Sequence, residues 1–289
     1  TPDYLPGILG MTLPAINVNK VENKGFEIQA KWNDRIGTDF RYWANFNISF
    51  ARNKIVFMNE VEQNEPWMYQ TGRRINSRSM YKFWGFYDET ADLRYQEEFG
   101  IPISDHGITL QPGDAVYVDL NKDGKLDGND ATRDIGFTDL PEYTAGLNLG
   151  FSWKNFDLST FWQGVAGIYR YSWETTTDIR GNFTDRWLDR YSADNINGSM
   201  PALGNTINDQ YSSFWLENSS YLRLKNLEFG YTFRQPGLTK LGVSSIRVYF
   251  AGTNLLTFTS LKNWDPEKTS GDARNDVHPN LSLIHISEP

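Results

Sequence analysis

From Glu142 to Trp153 the chain alternates without a break: Tyr143, Ala145, Leu147, Leu149, Phe151 and Trp153 share one face, and Thr144, Gly146, Asn148, Gly150 and Ser152 the other. A period of two is that of a β-strand with one apolar and one polar side. Its length narrows the choice further. Alternation over about 9 to 12 residues matches a tilted strand that crosses a bilayer, whereas strands of soluble domains usually run to about 5 or 6. Lys154 and Asn155 then make a tight turn, and Phe156, Leu158, Thr160 and Trp162 resume the first face with Asp157, Ser159 and Gln163 opposite, so the segment reads as a hairpin. Phe26 to Trp32 with Phe40 to Phe50 repeats the plan across a turn through Asp34 to Thr38, and Tyr221 to Phe233 with Ser245 to Phe258 repeats it across a turn holding Pro236, Gly237 and Gly242.

Long polar stretches separate these hairpins: Arg52 to Tyr81, Glu89 to Pro141, Gly164 to Ser219 and Thr259 to Asn280. Short turns at one end and long loops at the other are the asymmetry of outer-membrane barrels, and rings near strand ends, such as Trp153, Phe156, Trp162 and Phe258, suit an interfacial girdle. A chain that rises through Phe40 to Phe50 and descends through Tyr143 to Trp153 needs zero or two spanning strands in between. Lys82 to Tyr87 and Ala115 to Val118 are the candidates for two, which would bring the strands to about eight. The fold expected is all-β, an open part of a large antiparallel transmembrane β-barrel with long extracellular loops; a soluble sandwich or propeller is the alternative reading of the same alternation.

Composition agrees with strands and turns. The 289 residues hold 18 Phe, 10 Trp and 15 Tyr, with 24 Gly for turns. No run approaches the roughly 20 apolar residues of a spanning helix. A mean hydropathy of -0.55 is compatible with barrel strands, because only alternate residues meet lipid. The formal charge of -8 argues against a phosphate-binding surface, and hence against nucleic acid. With no cysteine there are no disulfides, thiolate chemistry or Cys-based zinc sites. Thr1 to Gly10 shows no signal-peptide pattern, so an exported chain would be a mature form or a fragment.

Several segments, in this order and spacing, resemble SusC/RagA-type TonB-dependent transporters: Val21 to Glu27 (VENKGFE), Ala51 to Ile55 (ARNKI), Asp119 to Asp127 (DLNKDGKLD), Asp185 to Trp187 (DRW), Phe214 to Asn218 (FWLEN), Ser220 to Asn226 (SYLRLKN) and Ala251 to Phe258 (AGTNLLTF). The resemblance covers about Leu5 to Asn280. It implies a barrel of about 22 strands with a plugged lumen, of which residues 1–280 are a C-terminal portion without plug or TonB-contacting segment. It also implies a Gram-negative, Bacteroidetes-like cell outer membrane, contact with outer-membrane lipid, energy from TonB through the missing N-terminal region, a SusD-like surface lipoprotein as partner, and an oligosaccharide or oligopeptide as substrate. Leu281 to Pro289 (LSLIHISEP) departs from the family's terminal aromatic strand and reads as translated sequencing adapter.

Two sets of residues carry candidate chemistry. Asp119, Asn121, Asp123, the Lys125 carbonyl and Asp130 follow the spacing of an EF-hand-like loop with Gly124 at its turn, the expected ligands of a structural Ca2+; a polar turn built on side-chain hydrogen bonds is the alternative. Trp173, Trp187, Tyr191, Tyr211 and Trp215 lie among polar residues of one long loop, as rings that stack on sugar faces would, or as rings that pack the loop on itself. His106, His278 and His285 lack metal-ligand spacing, and no phosphate loop, G-x-S-x-G or HExxH occurs, so an enzyme is not expected. A secreted β-rich calcium and carbohydrate binding module is the rival function, and a barrel serving as adhesin or anchor a third.

Overall fold

The computed structural model describes residues 19–136, 140–174, 176, 184–235, 237, 242–262 and 265–267. Leu281 to Pro289, His278 and Pro236 lie outside these residues. Six long strands form one antiparallel sheet: β1 (Lys20–Ile36), β2 (Phe40–Phe57), β5 (Tyr143–Trp153), β6 (Phe156–Ala166), β9 (Tyr221–Phe233) and β10 (Ile246–Thr259), in the spatial order β1-β2-β5-β6-β9-β10. Chain neighbours are sheet neighbours throughout, as an up-and-down barrel wall requires. The sheet is open, with β1 and β10 at its edges.

Register fixes which side chains share a face, since a slip of one residue would invert every strand. Asp34, Tyr42, Phe151, Leu158, Phe229 and Phe250 lie in one row across all six strands; Ile36, Phe40, Trp153, Phe156, Tyr231 and Val248 lie in the next. Towards the loops the same face carries Trp32, Ala44, Leu149, Thr160, Leu227 and Gly252, then Ala30, Phe46, Leu147, Trp162, Leu224 and Leu256. Asp34 is the one charged side chain in these rows, at the turn end, where it accepts a hydrogen bond from Tyr42 Oη (3.3 Å). Apart from Leu224, buried at 3%, the face is partly to largely exposed: Trp32 is 60% exposed and Phe250 61%. Among the described residues no second sheet packs on it. A sandwich would have buried these residues between two sheets; a wall in lipid leaves them as found.

Rings pair across the strands at both ends of this face. Phe156 stands 4.7 Å from Tyr231 and 6.3 Å from Trp153 near the short turns, and Phe50 stands 4.7 Å from Tyr143 and 5.6 Å from Phe26 near the loops. On β2 ten residues separate Phe40 from Phe50, about 33 Å of strand at ~3.3 Å per residue. A tilt of about 35–45° projects that to roughly 25 Å, the height of the apolar band of an outer-membrane barrel.

The opposite face is polar and knits itself together. Trp43 Nε1 donates to Asn148 Oδ1 (2.9 Å), Ser49 and Thr144 hydroxyls meet at 2.6 Å, and Arg247 bridges Asp157 and Glu228. Glycine is required at 150, because a Cβ there would lie 2.1 Å from the Trp43 ring that crosses it.

The count of about eight spanning strands is corrected to six among the described residues. β2 pairs directly with β5, so no spanning strand intervenes. β3 (Phe83–Phe86) and β4 (Ala115–Tyr117) pair only with each other, in a separate two-stranded sheet, and β7 (Tyr169–Tyr171) pairs with β8 (Leu216–Asn218) in another. Strands of three and four residues reach only about 10–13 Å at ~3.3 Å each, too short to cross a bilayer. Helix α1 (Ala91–Phe99), closed by Gly100 in the left-handed conformation, lies in the same loop.

Candidate functional site

Among the described residues most of the buried core is in the loops, with Ile55, Tyr221 and Leu224 the buried hydrophobics of the long strands. One cluster is Ala115, Tyr117 and Ile207, with Tyr81, Phe83, Leu110 and Leu126 against it; another is Trp187, Met200 and Trp215, with Tyr171, Trp173 and Phe214. The first joins both long loops through Ile207; the second lies within one loop, and the Phe83 and Phe86 rings of the other loop pack on its Phe214. The described residues of the loops 58–142 and 167–220 therefore fold as one layer beyond the loop end of the sheet.

Backbone bridges start the join. Tyr81 N donates to Tyr211 O (3.0 Å), Ser213 N to Tyr81 O (2.9 Å), and Ala202 N to Gly113 O (2.9 Å). Buried polar side chains complete it. Asp114 accepts from Gln111 N (2.7 Å), Asn208 Nδ2 (3.0 Å) and Asn205 Nδ2, while Asn208 Oδ1 accepts from Ala115 N (2.6 Å). Asp209 Oδ1 accepts from both the backbone N and the hydroxyl of Thr176. Asp114, Asn208 and Thr176 are all within 1% of full burial, so these bonds replace water completely. Read from the sequence, these residues look only like turn formers; no local signal marks them, because their partners are some 90 residues away.

The five rings expected to bind sugar divide between packing and partial exposure. Trp215 is wholly buried and Trp187 nearly so, with Arg186 5.6 Å over the Trp215 ring and Trp187 Nε1 donating to Glu174. Trp173, Tyr191 and Tyr211 are half-buried. Trp173 Nε1 donates to Asp209 O (3.2 Å), and the Tyr211 ring lies 4.3 Å from Tyr171. Tyr191 rests on Gly113, whose φ of +88° and whose missing Cβ, which would stand 2.3 Å from the ring, both require glycine. The structure thus brings Trp173, Trp187 and Trp215 into one cluster, with Tyr191 on the other loop's surface.

The Asp119 loop is closed by its own hydrogen bonds. Asp119 accepts from Lys122 N (2.6 Å), Gly124 N (2.9 Å) and Ser104 Oγ (2.5 Å); Asn121 Oδ1 accepts from Asp123 N and Asp123 Oδ1 from Lys125 N, two residues on in each case; Asp130 accepts from Leu120 N and Asp127 N at 2.9 Å. Among the described residues no three His, Cys, Asp or Glu side chains gather so as to hold a metal ion. Asp119 and Asp130 are both buried, and burial, helped by the charge of Asp119, holds the Asp130 carboxyl above its usual range.

His106 is held neutral beside this loop. Its Nδ1 lies 2.6 Å from the Ser104 carbonyl, which can only accept, and its Nε2 accepts from Tyr117 N (3.2 Å). The proton is therefore on Nδ1, and burial pushes the imidazole pKa below its ordinary value.

An open sheet with one apolar and one polar face, and two interlocked loops at one end, is the geometry with which known proteins can be compared. The chain is 28% identical to TonB-dependent receptor P3 of Formosa agariphila, over all of this chain and 29% of that receptor. It is 24% identical to TonB-dependent receptor SusC of Bacteroides thetaiotaomicron, over 88% of this chain and 25% of SusC. The fold matches the RagAB peptide importer in its open-open state with a TM-score of 0.69, at 23% identity, covering 93% of this chain and 29% of that one. The chain is similar to TonB-dependent receptors of the SusC/RagA type. No protein-family model matches it. It spans under a third of the length of the curated relatives it matches. These relatives are named as receptors and an importer, not as enzymes.

Proposed function

We propose that this SusC/RagA-type chain serves TonB-dependent uptake across the outer membrane of a Gram-negative, Bacteroidetes-like cell, its six strands forming barrel wall and its loop layer facing outward to receive an oligosaccharide or oligopeptide. The observation that carries the reading is the apolar face, which runs across six strands in register with a single charged residue, Asp34, in four rows. Only a hydrocarbon solvent rewards such a surface; in water it would be an aggregation site. The substrate class follows the family and the peptide importer it matches in fold, and a SusD-like lipoprotein over the loop layer with TonB acting through the rest of the receptor belongs to the same proposal. So does a calcium ion of structural role in the loop of Asp119, Asn121, Asp123, the Lys125 carbonyl and Asp130, where a cation would relieve the repulsion between Asp119 and Asp130. Fractionation of the full-length receptor tests the central claim: recovery in the detergent-solubilised outer membrane supports it, and recovery in aqueous washes would replace it with a secreted binding module. Loss of uptake of labelled oligosaccharide or oligopeptide on deletion of the gene tests the substrate.

A further inference from the structure

The β1-β2 hairpin runs past its neighbour. β5 begins at Tyr143, opposite Phe50, so residues 51–57 of β2 and their partners on β1 project beyond the ring row of Phe26, Phe50 and Tyr143. The register between Val21 and Ile36 is unbroken, which keeps even-numbered residues of both strands on the apolar face. Beyond Phe26 and Phe50 those positions are Lys24 opposite Arg52 and Glu22 opposite Lys54. The apolar face thus changes abruptly, within two residues, from rings to cations.

These cations are placed to meet an anion from the membrane side. The Lys24 side chain is 77% exposed and that of Arg52 53%, and Lys54 is exposed. Arg52 is fixed from two directions, by paired hydrogen bonds to Glu142 (2.8 and 2.7 Å) and by the Phe50 ring 5.6 Å from its guanidinium. Arg74 reaches the same Glu142 from the loop layer. Four cations, Lys24, Arg52, Lys54 and Arg74, face two carboxylates, Glu22 and Glu142, which leaves two positive charges in excess, although the chain as a whole is acidic at -8. A cavity of about 200 Å3 lined by Asn23, Arg52, Asn53, Arg74 and Glu142 opens beside them. On the same face at the short-turn end no such cluster exists among the described residues; Lys154, 5.5 Å over the Trp153 ring, stands there.

Two residues of tilted strand carry the chain only about 5 Å beyond the ring row. That is the depth of lipid headgroups, where each Lys or Arg adds attraction to anionic lipid. We infer that Lys24, Arg52 and Lys54 form a docking strip for the phosphorylated headgroups of outer-leaflet lipid, holding the projecting hairpin at the membrane surface. The inference rests on the lipid-facing reading of the apolar side.

The test uses the full-length receptor, extracted from the outer membrane and placed in nanodiscs of phosphatidylcholine with or without phosphatidic acid, with retained lipid counted by native mass spectrometry. The native receptor retains phosphatidic acid selectively, and K24Q/K54Q weakens retention about 25-fold, at about 5-fold for each charge near the surface. K31Q, which changes a lysine of the same strand on the polar face, retains lipid as the native protein does. Equal retention by native and K24Q/K54Q receptors, an equal loss in K31Q, or displacement of the lipid by millimolar inorganic phosphate would overturn the inference. Recovery of the receptor in aqueous washes would instead overturn the lipid-facing reading beneath it, so the two failures are distinguishable.

Discussion

Asp114→Ala tests whether the two long loops are one folded unit. The Asp114 carboxylate is 1% exposed and holds Gln111 N on its own loop and the Asn205 and Asn208 side chains on the other. A hydrogen bond to a charged group contributes about 1.5–3 kcal/mol, so three bound the loss at roughly 5–9 kcal/mol. Removing the carboxylate also removes its burial penalty of several kcal/mol. The balance is a loss of about 3 kcal/mol, or about a hundredfold in the equilibrium for local opening. Native-state hydrogen exchange on the solubilised full-length receptor reads this directly. The amides of Ala115 and Tyr117 exchange about a hundredfold faster, and so do Asn208 and Gln210 on the other loop, while β5 and β6 stay protected. Acceleration confined to residues near 114, with Asn208 and Gln210 unchanged, would refute the interlocking and reduce the network to local turn chemistry.

Three further outcomes follow from the same structure. Leu149→Arg, in the middle of the apolar face, destabilises the barrel by about 2–4 kcal/mol in denaturant titrations in lipid, and Asn148→Arg on the polar face costs far less; equal effects would mean the faces are misassigned. His106 is neutral in the fold with a depressed pKa, so its contribution is complete above pH 6.5 and is lost as pH falls through the folded value. Exchange at the Tyr117 amide, corrected for intrinsic rates, accelerates across that window, and a flat profile would show that the imidazole is not the group responsible. Because the Asp119 loop is closed by its own backbone bonds, a calcium chelator leaves the protection of Lys122 and Gly124 largely intact while added calcium raises it; unfolding of the loop by chelator would make the ion essential rather than additional.

The strands were legible in the sequence because a transmembrane wall is a local code. Alternate residues meet two different solvents, so Tyr143 to Trp153 declares its faces without reference to any partner, and the pairing of β5 with β6 follows from a two-residue turn. The turn of the Asp119 loop was legible for the same reason, since most of its bonds join residues two to five apart, although Ser104 and Asp130 tie it from farther away. What the sequence did not disclose depends on groups distant in the chain. Phe83 to Phe86 and Ala115 to Tyr117 look like strands and are strands, but only their burial in the loop layer shows that they pair with each other and leave β2 to β5. Trp187 and Trp215 look like the rings of an open binding surface, and only the fold shows their faces covered by Met200 and Arg186. Asp114 and Asn208 carry no local mark at all; a carboxylate and an amide 94 residues apart become a buried pair only when the barrel wall brings both loops to the same end. Period and turn chemistry act over a few residues and fix the wall, whereas desolvation acts on whatever the wall brings together, and so the loop layer is decided by tertiary structure alone.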